Sequence, residues 1–433
     1  MMSINFMEAV GSAIKLPELR QRILFVFAMF GVYAVGLHIP VPGVNHERLK
    51  EIIESNAAWQ FMNLFTGGAL KRFAVLALGL NPYITSSIIM QVMSYTLPQL
   101  RALQKEGGEA GRRQIAKYTR YLTLVVAFLQ ALGLITVFRN NGALEAGGLW
   151  ITLYVILALI AGAMFLLWLG EQITEKGIGQ GVSLMIFASI VATIPGQIAS
   201  TVVYLQAGTY QAYQIIALLA IFLITVWSVV YVTQSQRRIP IQHVRRIIGR
   251  RQTMGGASYL PIPVNAAGVM PIIFAMALQS IPVTLASAFT GRTGWVADAA
   301  NWIAQHLSPG YSWFGAFFFA FLIFAFTYVY ISIIFNTDEI ADNLKKQGSF
   351  VQGIRPGNPT KDFLDGVVSR ITVFGASFLA IIALMQYMVP NWTGVQTFAL
   401  GGTSLLIMVG VGLDFLRQIE SQMSMRQYED FLR

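Results

Sequence analysis

Residue types that usually carry chemistry are scarce in this chain and poorly spaced for it. There is no cysteine, which excludes disulfides, thiolate metal sites and iron–sulfur clusters. The four histidines, His38, His46, His243 and His306, are scattered, so neither a zinc-protease motif nor a Cys–His pair exists. Gly179-x-Gly181 and Gly255-Gly256 lack the Lys-Ser/Thr that follows a phosphate loop. Glu171, Glu175 and Lys176 fall at the end of an apolar run, where snorkelling to the interface is the expected role. No catalytic residue, metal or cofactor follows from such a set.

Two other groups of residues are more telling. The first is basic. One connection between apolar runs, residues 234–265, carries Arg237-Arg238, Arg245-Arg246 and Arg250-Arg251. Another, residues 336–368, carries Lys345-Lys346 and the turn Gly353-Ile354-Arg355-Pro356-Gly357. Paired cations of this kind attract RNA phosphate, acidic proteins or anionic lipid. Membrane orientation alone accounts for some of them, but not for the length of the first connection, which implies a large partner.

The second group is aliphatic and repeated. Gly79-Leu80-Asn81-Pro82, with Ile84 two residues on, is echoed by Gly268-Val269-Met270-Pro271, with Ile273 two residues on. Gly181-Val182-Ser183-Leu184-Met185-Ile186 is echoed by Gly402-Thr403-Ser404-Leu405-Leu406-Ile407. Any one Gly, Pro or Ile here is explained by packing or a kink, both ordinary in membrane helices. The paired set points to a functional centre. Leu80, Ile84, Val182, Ile186, Ile273 and Ile407 from four helices would make a dry collar that resists water and ions when closed. Such a collar offers nothing to coordinate a small ion, yet it yields to a passing chain.

The elements that position these residues follow from composition. The 433 residues are 55% hydrophobic and 12% charged, with mean hydropathy +0.60. Ten apolar runs, centred near Phe30, Ile88, Val126, Leu159, Ile190, Phe222, Phe274, Phe324, Phe378 and Ile407, predict ten membrane helices. Of the 30 lysines and arginines, 24 fall in the termini and alternate connections, which predicts that both termini are cytoplasmic. The motif matches lie five spans apart, so the halves 1–207 and 208–433 read as an inverted repeat.

The stretch from Asn63 through Gln91, Gly177-Ile178-Gly179-Gln180-Gly181, Asp342-Asn343-Leu344-Lys345-Lys346, the Gly353–Gly357 turn and Gly401-Gly402-Thr403-Ser404-Leu405-Leu406 resemble the SecY family. The resemblance runs from Leu19-Arg20 to Gln427-Tyr428-Glu429. Its members are central channel subunits of general protein secretion in the bacterial cytoplasmic membrane. It implies ten helices in two pseudo-symmetric halves hinged between spans five and six. It implies a hydrophobic pore ring at Leu80, Ile84, Ile186, Ile273 and Ile407, with Val182 beside it; Leu80 replaces an isoleucine common in the family. A short plug helix is expected over about residues 63–73, including Asn63, Gly67, Gly68, Lys71 and Arg72. Span two would then start near Val75, with Pro82 in its early turns. The lateral gate falls between spans 2–3 and 7–8, with Ile281 and Pro282 on span seven, and passes signal sequences and nascent chains into lipid. Arg355, supported by Arg245, Arg246, Arg250 and Arg251, is expected to dock the ribosome or the SecA motor. SecE-like and SecG-like small subunits are implied as partners, with no cofactor.

Rival readings are a secondary transporter of an apolar or zwitterionic solute and a membrane scaffold that recruits ribosomes without a pore. Against the transporter stand the all-aliphatic central motifs, where a coupled transporter needs ionisable groups.

Overall fold

The computed structural model describes residues 16–55, 57–105, 107–144, 149–243, 247–248, 251–252, 257–287, 294–307, 312–395 and 401–432. Helices occupy all ten apolar runs. They are α1 (Pro17–Gly36), α4 (Asn81–Thr96), α6 (Gly108–Asn140), α7 (Leu149–Lys176), α8 (Gly181–Gln206), α9 (Ala212–Gln234), α10 (Met270–Ser287), α12 (Trp313–Ile334), α14 (Asn358–Thr393) and α15 (Gly402–Leu432). Shorter helices join them: α2 (His46–Ser55), α3 (Ala57–Phe65), α5 (Pro98–Lys105), α11 (Trp295–His306) and α13 (Thr337–Lys346). Among the described residues, eight helices are long and apolar enough to cross a membrane. Their outward faces carry large apolar side chains such as Phe27, Ile216, Trp227 and Phe321, which suit contact with lipid.

The two spans that fall short are α4, with 16 residues, and α10, with 18. Each is preceded by a run of turns, residues 66–80 and 264–269, where regular helix would otherwise extend. The two runs end alike. Gly79 and Gly268 have φ of 58° and 61°, a region that favours glycine, and the helix begins two residues later with proline second in it. Proline fits that first turn because its missing N–H has no helical partner there anyway.

The opening stretch of span two therefore differs from expectation. Only Asn63–Phe65 of the expected plug helix is helical, as the end of α3, and Thr66–Leu80 is a chain of turns. The span starts at Asn81, not near Val75. The cause is conformational: Gly67 and Gly68 have φ of 66° and 84°, and Phe73 has φ of 46°. Phe73 holds that strained backbone because its side chain is fully buried edge-on against Phe138, with ring centroids 5.7 Å apart. Val41 N–H donates to the Phe73 carbonyl and Val75 N–H to that of Ile39, so the turns are pinned along their length.

The basic connections hold the second surprise in an otherwise helical protein. Strands β1 (Gln236–His243) and β4 (Ala257–Pro263) form an antiparallel hairpin within residues 234–265. Strand β5 (Ser349–Val351), from the other basic connection, pairs with β1 through Ile241, Gln242 and His243. The order is β4-β1-β5. Within that connection a smaller hairpin joins β2 (Ile247–Ile248) and β3 (Arg251–Gln252). One face of the larger sheet buries Ile239, Ile262 and Val351 with Leu364 of α14, a small core of its own.

Candidate functional site

The six aliphatic positions come from four places in the chain. Leu80 caps α4 and Ile84 lies in its first turn; Val182 and Ile186 are in α8, Ile273 in α10 and Ile407 in α15. The structure brings all six together. Leu80, Ile186, Ile273 and Ile407 are buried in one apolar cluster, and Ile84 and Val182 pack half-buried against it. Ile407 has no exposed surface at all. All six lie at or near the starts of their helices, and the irregular backbone before α4 and α10 sets where two of those starts fall.

Below the cluster in sequence lies the turn segment, tied at several points. The Asn63 side-chain oxygen accepts from Lys71 N–H at 2.9 Å, closing the loop that contains Gly67 and Gly68. Lys71 Nζ meets Glu54 of α2 at 2.6 Å, and Arg72 Nη1 meets His38 Nε2 at 2.7 Å. The Tyr33 hydroxyl of α1 lies 2.7 Å from Ser189 Oγ of α8 and 3.3 Å from the Thr66 carbonyl oxygen. A side chain at Gly67 would meet that hydroxyl at 2.5 Å, so the turn passes Tyr33 only as glycine. Both cations thus have partners and lie in the turn segment before α4, not within that span, so α4 itself carries no charge. Sequence reasoning missed Tyr33, Ser189, Glu54 and His38, because their partners are far away in the chain.

Helix α10 packs against α4, α6 and α12. Ile88, Phe274 and Phe326 line a narrow cleft between α4, α10 and α12. Phe274 sets its ring edge-on to both Phe326 and Tyr330. Ile281 and Pro282 lie further along α10, half-buried and off this cleft. A buried glutamine, Gln279, donates from Nε2 to the carbonyls of Leu307 and Gly315 at 2.8 and 3.2 Å. It fastens α10 to the start of α12. A lone amide in an apolar run was the sequence signal for it.

On the basic side, Arg355 is exposed in a turn whose Gly353 and Gly357 have φ of 82° and 101°. Thr360 Oγ1 donates to its carbonyl, holding the turn. Arg251 belongs to β3 by its backbone; Arg245, Arg246 and Arg250 lie outside the described residues. Glu171 pairs with Arg120 Nε at 2.7 Å, joining α6 to α7.

The SecY family profile matches residues 74–416, most of the chain. The chain belongs to the SecY family. It is 41% identical to the protein translocase subunit SecY of Streptomyces galbus over 449 aligned residues, covering 98% of this chain and 99% of the relative. Among solved structures, it resembles a protein-conducting channel with a TM-score of 0.66 at 19% identity, over 93% of this chain and 92% of that one. It also resembles Sec61 in the canine ribosome–channel complex from the endoplasmic reticulum, with a TM-score of 0.63 at 18% identity, over the same shares of the two chains. These two likenesses establish the fold. As a SecY-family member the chain is a multi-pass membrane protein of the protein-translocation class, and the solute-transporter reading falls.

Proposed function

We propose that this chain is the protein-conducting subunit of a secretion translocase, a passive pore for unfolded polypeptides with a side exit for apolar segments. The observation that carries it is the convergence of Leu80, Ile84, Val182, Ile186, Ile273 and Ile407 in one apolar cluster at the starts of separate helices. A collar of aliphatic side chains seals by excluding water and reforms around any sequence, because its contacts have no direction. The segment of about residues 63–73, with Asn63, Gly67, Gly68, Lys71 and Arg72, acts as the plug. The side exit lies between α4 and α6 on one side and α10 and α12 on the other, with Ile281 and Pro282 on α10 beyond the cleft. The inverted repeat, halves 1–207 and 208–433, is supported by the matched glycines and prolines before α4 and α10.

Energy comes from a partner, a SecA-like motor or a translating ribosome, which docks on the sheet side through Arg355 and the arginines of residues 234–265. With the positive-inside rule that side faces the cytoplasm, as do both termini, and the membrane is the bacterial cytoplasmic one. SecE-like and SecG-like subunits complete the assembly, and anionic lipid adds to the attraction of the basic loops.

A photoreactive side chain placed at Ile84 or Ile273 will crosslink to a stalled secretory chain. Adducts confined to the basic connections would mean a recruiting scaffold without a pore.

The plug reading has its own test. Lys71→Glu sets two carboxylates against each other at the α2 contact and will raise resting ion leak about twofold, since an exposed pair contributes only about 0.2–1 kcal/mol. Adding Glu54→Lys restores the pair. A double variant as leaky as the single one would show that this contact does not hold the plug.

A further inference from the structure

Two contacts outside the apolar collar match each other across the repeat. Gly181 is the first residue of α8 and Gly402 the first of α15. A Cβ on Gly181 would overlap the carbonyl oxygen of Gly170, on α7, and lie 2.8 Å from its carbonyl carbon. A Cβ on Gly402 would overlap the carbonyl oxygen of Ile382, on α14, and again lie 2.8 Å from the carbon. In each half, one of the helices that supply a collar isoleucine, α8 or α15, thus rests its first residue on the backbone of the span before it. The collar residue follows five positions later in both cases, Ile186 and Ile407. At about 1.5 Å per residue, that is roughly 7–8 Å along the helix axis.

Each joint also carries one side-chain tie. Thr174 Oγ1 of α7 donates to the Gly170 carbonyl and accepts from Gly181 N–H, both at 2.9 Å. In the second half, Thr403 Oγ1 bonds to Gln386 Oε1 of α14. The ties differ chemically, whereas the backbone contact is the same. That points to the spacing as the common requirement.

We infer that Gly181 and Gly402 are positioning residues that set the aperture of the collar, by fixing how closely α8 and α15 approach α7 and α14. This rests on the collar being the seal. A methyl group at either glycine must displace the helix start by on the order of 1 Å, because packed carbon atoms sit about 3.5–4.0 Å apart. Close-packed interiors transmit such a shift instead of absorbing it. Ile186 or Ile407 then moves with its helix, and the collar no longer closes.

The test uses the chain reconstituted with its partner subunits in liposomes, without substrate, and measures resting ion leak. Gly181→Ala and Gly402→Ala will each raise the leak at least about threefold, because a hydrophobic constriction gates by staying dry. Gly111→Ala is the comparison, since its Cβ would overlap the Leu103 carbonyl oxygen just as severely at the contact of α5 with α6, away from the collar. That variant will lose stability without leaking. Adding Ile407→Phe to Gly402→Ala will reduce the leak again, a rescue that general destabilisation would not give. If Ile407→Asn leaks while both glycine variants match Gly111→Ala, the positioning role is wrong and the collar stands. If Ile407→Asn does not leak, the collar reading itself fails. Should the glycine variants not fold, Thr174→Val and Gln386→Leu loosen the joints without added bulk, and an unchanged leak in both would overturn the inference.

Discussion

Replacing Ile407 with Asn will open the resting channel to ions and let export substrates with defective signals pass. Ile407 has no exposed surface and is buried with Leu80, Ile186 and Ile273. Burying an isoleucine side chain is worth about 1.5–3 kcal/mol, and an amide in its place either lacks partners or draws water in. Both outcomes act on the closed state, because the collar is dry only while it is shut. With each 1.4 kcal/mol worth tenfold, the closed-to-open ratio falls by about 10- to 100-fold. Ile407→Leu, which keeps volume and polarity, will change the leak little. The measurements are ion flux through the reconstituted channel and secretion of a reporter with a weakened signal. Unchanged flux and unchanged stringency would remove Ile407 from the seal.

Arg355→Glu will cut partner-driven translocation at least about tenfold while leaving the membrane fold intact, since reversing a charge at a docked interface costs about 2–5 kcal/mol. The fold is spared because the turn is held from behind. Its Ile354 packs against the core of Ile239, Val351 and Leu364, and the Thr360 hydroxyl holds the Arg355 carbonyl. Only the exposed guanidinium changes. Motor-driven import into vesicles and cosedimentation with ribosomes separate the two partners, and lowered salt will partly restore whichever contact is weakened. Normal translocation together with normal ribosome binding would end the docking role for this residue.

Hydropathy alone made the ten helices legible, and the repeat of Gly-x-x-Pro with a following isoleucine picked out the residues that converge. The stretch before Asn81 was misread because its apolar content suits a helix as well as a packed turn. Gly67, Gly68 and Gly79 were the available signal. Phe73 gave none, since its backbone is imposed by the distant Phe138. The sheet was hidden for a similar reason. Ile239 and Ile241 alternate as strand residues should, but Pro240 between them argues against a strand. The partner strand β5 lies more than a hundred residues further along. Ion pairs such as Arg120 with Glu171 are likewise products of the fold, invisible until α6 and α7 are side by side.

That sheet has a mechanical meaning. It splices the connection leading into α10 to the one leading into α14, so the two basic loops are one handle and not two independent tethers. β4 leads through residues 264–269 into the helix that carries Ile273, Ile281 and Pro282, and Gln279 ties that helix to the start of α12. If the collar is the seal and the basic loops are the docking surface, a partner gripping this sheet bears on the side wall and the waist together.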